Sequence, residues 1–152
     1  MSDSPAVVCV GETLWDVLPR GRFIGGAPFN VAAHLARLGL HASLITRLGS
    51  DAPGRDAASA AASHGVDISA LQFDDWLPTG EARAVLDVSG SASYSFLSPA
   101  AWDAIEALPA ALALARASDA LVFGTLGQRA AASSAAILKL ARVARFRVFD
   151  PN

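Results

Sequence analysis

The run Gly25-Gly26-Ala27-Pro28-Phe29-Asn30 brings together residue types that a small-ligand site needs in one place. Two adjacent glycines let the backbone turn tightly and let a ligand approach without meeting a Cβ. Pro28 falls where a helix takes its first residues, because its missing N–H costs nothing there. A helix starting at this point aims its free N–H groups at whatever the glycines hold. Asn30, within the first turn, offers both a donor and an acceptor, although the same amide could bond its own backbone. Upstream, the Asp16 carboxylate can accept from two neighbouring hydroxyls at once. By residue type alone Asp16 is a solvated loop carboxylate; its place between Gly11-Glu12 and the glycine pair argues for the site instead.

Other candidates lie further along the chain. Gln128 and Arg129 follow an apolar strand over 120–123, at the edge where a parallel sheet binds ligands, and which of the two turns inward is open. Asp150 and Asn152 follow a second such strand, 146–149, at the same edge. Phe96 reads as readily as core as it does as a ring against which a ligand stacks. His34, His41 and His64 fall in different elements and do not form a metal set, so no metal site is assigned. There is no G-x-x-x-x-G-K-S/T, and no G-x-G-x-x-G after the first strand, which disfavours P-loop and dinucleotide folds.

Positioning these residues takes an alternation of strands and helices. Ala6–Val10 is a continuous apolar run of strand length, as expected for a strand covered on both faces, and it buries Cys9. Phe23-Ile24 adds a short extended piece. A helix over 28–38 follows, with Val31, Leu35 and Leu38 in its stripe and Gly39 at its end, and then a strand over 42–48. Asp51 is the expected N-cap of an alanine-rich helix that ends near His64 and Gly65. Val66-Asp67-Ile68 leads back to the sheet. Alternation over 82–88, a turn at Ser89-Gly90-Ser91 and a return over 92–96 predict a projecting hairpin. A helix over 105–116, a strand over 120–123, a helix over 130–144 and a strand over 146–149 complete the pattern. The expectation is an α/β fold: a mostly parallel sheet flanked by helices, with a small β lid.

Composition narrows the function classes. With 152 residues, 53% hydrophobic and 17% charged, the chain is long enough for one domain with a real core. A net charge of −2 offers no electrostatic basis for binding nucleic acid or an acidic membrane surface. A single cysteine excludes an intramolecular disulfide. No run approaches the ~20 apolar residues of a membrane span, and the polar start Met1-Ser2-Asp3-Ser4-Pro5 lacks a basic n-region, so the expected location is the cytoplasm.

Taken together, Gly25-Gly26, Pro28, Asn30, Gly39 and Gly49 resemble the first signature of the ribokinase-like (PfkB-type) sugar kinases. The likeness extends to Gly11-Glu12 with Asp16, to Gly49-Ser50-Asp51-Ala52-Pro53-Gly54, to Ala101-Trp102-Asp103 and to Phe149-Asp150-Pro151-Asn152. The lid and the Ala101-Trp102-Asp103 segment are similar to fructokinase-like members. The resemblance implies an ATP-dependent kinase for a small sugar, fructose or a related ketose, using ATP and Mg2+. It implies that Asp16, Gly25, Gly26, Asn30, Phe96 and Gln128 bind substrate, with Asp150 and Asn152 on the phosphate and magnesium side.

The same resemblance covers about half of the family's fold. Residues 1–152 are expected to form the N-terminal part of a single ribokinase-like α/β domain, with lid strands around 12–25 and 81–97. The family's Gly-Ala-Gly-Asp anion hole, which carries the catalytic base, has no counterpart in the sequence, so no catalytic residue is assigned. The alternatives are a non-catalytic sugar-binding module and a truncated, inactive kinase homologue. An apolar lid face, made by Ala84, Leu86 and Val88 or by the alternate set, is expected to pair across a two-fold axis into a homodimer.

Overall fold

Strand β1 (Ala6–Val10) organises the molecule, because its apolar residues alternate between two faces that both need cover. The computed structural model describes residues 4–86 and 92–151. Asn152, the turn at 89–91 and the expectations placed on the side chains of Leu86 and Val88 lie outside that description. Strand β1 pairs in parallel with β4 (His41–Ile45) on one side and with β9 (Ala120–Gly124) on the other, and β10 (Arg147–Asp150) extends the sheet beyond β9. The order is β10-β9-β1-β4.

Val7 and Cys9 face helix α1 (Ala27–Arg37), packing with Phe29, Ala32, Leu44 and Val122. Val8 and Val10 face the other way, toward Trp102, Leu121, Ile137 and Leu140, in the layer formed by helices α3 (Pro109–Ala117) and α4 (Ala131–Val143). Cys9 is fully buried, and that burial pushes its thiol up to about 12, so it is inert.

Two expectations are corrected. The strand expected over 42–48 ends at Ile45, and β5 (Arg47–Gly49) turns away to pair in parallel with β6 (Gln72–Asp74), a strand the sequence pattern did not predict. Arg47 is the cause: its guanidinium pairs with Asp74 at 2.9 Å and donates to the Ala104 carbonyl at 3.0 Å, partners the apolar main sheet cannot offer. The helix expected from 105 begins only at Pro109, since that ring disfavours helical backbone before it. Residues Ala101–Ala104 form one 3-10 turn, and the segment between is tied down by long-range bonds: Ser133 Oγ accepts from the Ile105 N–H, and Gln72 bonds both backbone groups of Glu106.

Asp51 does cap α2 (Ala52–Ser63), accepting from the Gly54 N–H at 2.8 Å, and it also accepts from the Thr79 N–H and hydroxyl at 2.9 and 2.6 Å. Burial alone would raise its pKa, but these donors outweigh burial and hold the carboxyl below its ordinary value. The stabilisation is therefore present above the unfolded value near 3.8 and is lost as pH falls through the lower folded value. Asp51→Ala is expected to cost about 1–2 kcal/mol at neutral pH by urea unfolding, a difference that shrinks in acid. An equal cost at pH 3 and pH 7 would refute the ionic origin.

The second sheet is the lid. Strands β2 (Leu14–Leu18) and β3 (Gly21–Gly25) form an antiparallel hairpin. Strand β2 then pairs in parallel with β7 (Gly80–Leu86), which pairs antiparallel with β8 (Ala92–Phe96). The register aligns Phe23, Asp16, Ala82 and Phe96 in one cross-strand row, so the four share a face. The other face carries Trp15 and Ile24 onto Leu48, Ala57 and Ala58.

Candidate functional site

A cleft of about 460 Å³ opens between the carboxyl ends of the main-sheet strands and the shared-row face of the lid. Glu12, beyond β1, Gly124 at the end of β9 and Asp150 at the end of β10 line it from the body. Leu14, Asp16 and Phe96 line it from the lid, and Gly26, Ala27, Thr125 and Leu126 complete the wall. Its position follows the general rule for α/β sheets, in which ligands gather outside the carboxyl ends of the strands.

Close backbone approach builds the inner wall. Gly26 has φ +103°, and a Cβ there would lie 2.4 Å from the Glu12 carbonyl oxygen, so only glycine fits. At Gly25 a Cβ would meet Asp16 Oδ2 at 2.2 Å, which shows how tightly that carboxylate lies against β3. Helix α1 starts directly after the pair with Pro28 in its first turn, as the sequence predicts.

Glu12 is the charged residue of the cleft that sequence reasoning did not assign. It is 3% exposed and accepts from the Ala27 N–H at 3.2 Å, which ties the glycine turn to the end of β1. Burial pushes its carboxyl up; backbone N–H groups oppose the rise, and the nearby Asp150 charge adds to it. A usable signal existed, since a carboxylate immediately beyond a continuous apolar strand sits at the binding edge of a parallel sheet. Burial also raises the Asp16 carboxyl above its ordinary value. No Lys, Arg or His is among the lining residues, so the cleft presents carboxylate acceptors beside a phenyl ring.

The other candidates are distributed as follows. Asp16, Gly26, Phe96 and Asp150 line the cleft, and Gly25 is buried behind Asp16. Asn30 is exposed on α1 and is not among the lining residues; its N–H bonds the Gly26 carbonyl at 2.9 Å. Gln128 folds back, donating its side-chain N–H to the Gly124 carbonyl at 2.7 Å. Arg129 points to the base of the lid, where it pairs with Asp103. Neither Gln128 nor Arg129 lines the cleft.

The family described as pfkB family carbohydrate kinase matches residues 7–152. A fructokinase of Escherichia coli is 36% identical over 99 residues, 62% of this chain and 32% of that protein. A fructokinase with bound ATP from Xylella fastidiosa superposes with a TM-score of 0.83 at 27% identity, covering 97% of this chain and 48% of the other. An uncharacterized sugar kinase from Pyrococcus horikoshii superposes with a TM-score of 0.87 at 22% identity, covering 97% and 53%, a likeness of fold. The chain thus spans between about a third and about half of the length of these relatives. With the match running from β1 to β10 and taking in both cleft and lid, the chain belongs to the pfkB family of carbohydrate kinases.

Proposed function

We propose that the whole protein transfers a phosphoryl group from ATP to a small neutral sugar, with fructose or a related ketose as acceptor, and that these residues form the sugar side of its site. The observation that carries this reading is the shared row of Asp16 and Phe96 above a cleft lined by acceptors without a cation. Asp16 accepts from two adjacent hydroxyls, and the Phe96 ring covers an apolar face of the sugar. The glycine wall at Gly26 lets the sugar approach the start of α1. The names of the relatives, fructokinases among them, support the choice of sugar.

Among the described residues no three His, Cys, Asp or Glu side chains gather as a metal site. Asp150 lines the cleft at the end of β10, and a single carboxylate there suits a magnesium ion held mainly by nucleotide phosphates, the usual mode for that ion. The fit is to ATP-borne magnesium, with Asp150 as the proposed protein contact. Bound nucleotide and metal would supply the phosphoryl group and neutralise its charge. Membership of the family implies that the general base lies on its Gly-Ala-Gly-Asp segment, which has no counterpart in this sequence, so we assign the base to none of these 152 residues.

No helix among the described residues is long and apolar enough to cross a membrane, and we place the activity in the cytoplasm. The lid face leaves Phe23 45%, Tyr94 57% and Phe96 40% exposed, which supports its pairing with a second copy into a homodimer. The full-length protein, given ATP and magnesium, is expected to phosphorylate fructose and to sediment as a dimer. Sugar binding without turnover would instead favour a non-catalytic module, and a monomer at high concentration would refute the lid pairing.

A further inference from the structure

The lid meets the body where its four strands end, and each junction has its own polar tie. The Trp15 indole, on β2, donates to the Pro53 carbonyl at 2.9 Å. Glu12 takes the Ala27 N–H just beyond β3, and Asp51 takes the Thr79 N–H and hydroxyl just before β7. At the exit of β8 the tie is Arg129. Its Nη2 donates to the Leu97 carbonyl at 2.5 Å, and its Nε and Nη2 fork onto the two oxygens of Asp103, each at 2.7 Å. The guanidinium carbon lies 3.7 Å from the centroid of the Trp102 ring.

This is more than a surface ion pair. The Trp102 ring is 1% exposed, and its edge abuts the first residue of β7, since a Cβ on Gly80 would come within 2.4 Å of Trp102 Nε1. The Asp103 side chain is 9% exposed and also accepts from the Ala100 N–H at 2.8 Å, securing the segment that leaves the lid. In the chain, Arg129 follows directly on the turn Leu126–Gln128, whose Leu126 lines the cleft. Leu97 follows directly on Phe96, which lines the cleft from the lid. One planar cation therefore bridges the body wall and the lid wall of the same cleft. Bidentate pairing, a third acceptor and ring stacking together need a guanidinium, and an ammonium cannot reproduce them.

We propose that Arg129 is a positioning residue for the sugar site, setting the place of Phe96 and the lid face relative to the cleft wall without touching the substrate. The proposal rests on the kinase reading above, and its test separates the two.

In the full-length protein, Arg129→Lys and Arg129→Ala are compared with wild type by steady-state kinetics and by hydrogen exchange at the Leu97 amide, which donates to the Glu81 carbonyl. Both variants are expected to raise the sugar KM about tenfold, with kcat and the ATP KM within about twofold, because only acceptor placement is lost. Leu97 exchange should accelerate at least about tenfold as the β8 exit loosens. Arg129→Lys keeps the charge and guards against a misfolded alanine variant. Unchanged Leu97 exchange in both variants would overturn the proposal, as would kcat and both KM values worsening together in step with a lowered melting temperature. If the wild-type protein phosphorylates no sugar, the kinase reading fails, while Leu97 exchange still decides whether Arg129 holds the lid.

Discussion

Replacing Asp16 by alanine in the full-length protein is expected to lower kcat/KM for the sugar by ~10²–10⁴-fold, because two charge-assisted hydrogen bonds are lost at about 1.5–3 kcal/mol each. The fold should survive, since Asp16 sits on the open face of the lid and burial there disfavours its charged form. Removing it therefore relieves a small desolvation cost rather than breaking a structural network. Gly25→Ala gives an independent check on the same carboxylate. The new Cβ would lie 2.2 Å from Asp16 Oδ2 and 3.0 Å from its Cγ, and no backbone atom stands closer. The side chain can swing away, so the substitution should weaken sugar binding while leaving stability nearly intact. Isothermal titration of the sugar into each variant, beside thermal melts, reads both quantities. An Asp16→Ala protein with wild-type sugar affinity would remove the lid carboxylate from the site.

Gly26→Val is expected to act on the opposite quantity and to destabilise the protein by about 2–6 kcal/mol, the sum of a strained positive φ and an overpacked contact. Unlike Gly25, Gly26 faces backbone: its added Cβ would sit 2.4 Å from the Glu12 carbonyl oxygen, 3.1 Å from the Glu12 carbonyl carbon and 3.1 Å from the Thr13 Cα. These atoms cannot rotate out of the way. Moving them would also shift the Glu12 carboxylate from the Ala27 N–H and so disturb the start of α1. Against a typical total of about 5–15 kcal/mol, such a loss approaches global unfolding. Urea unfolding of Gly26→Val beside Gly25→Ala measures the contrast. A loss below about 1 kcal/mol for Gly26→Val would show that the turn relaxes and that the glycine is not required sterically.

Much of this was legible in the chain because the signals are local. The continuous apolar run at 6–10, the Pro28 helix start, the Asp51 cap and the lid alternation each act through sterics or hydrogen bonds within a few residues, and each appears where those rules place it. Asp16 and the glycine pair were legible for the same reason: their separation along the chain is short enough for one hairpin, β2–β3, to bring them together.

What the sequence could not settle was the direction of side chains at strand ends, where long-range partners decide. Gln128 and Arg129 are neighbours on one turn, yet one spends its amide on Gly124 and the other reaches Leu97 and Asp103. Glu12 reads as a plain strand end until the fold brings Ala27, Gly127 and Asp150 around it. Thr46 looks like the middle of one strand, but Arg47 leaves the sheet because its charge finds Asp74 only after the chain has returned from α2. The apolar periodicity therefore determined most of the elements, though not the short pair β5–β6. Nor did it fix every buried face: α1 buries Phe29, Ala32 and Ala33 and leaves Leu38 of the expected stripe exposed. Only the tertiary structure decided which polar groups converge, because a buried charge takes its orientation from whichever partner the packing brings within hydrogen-bond reach.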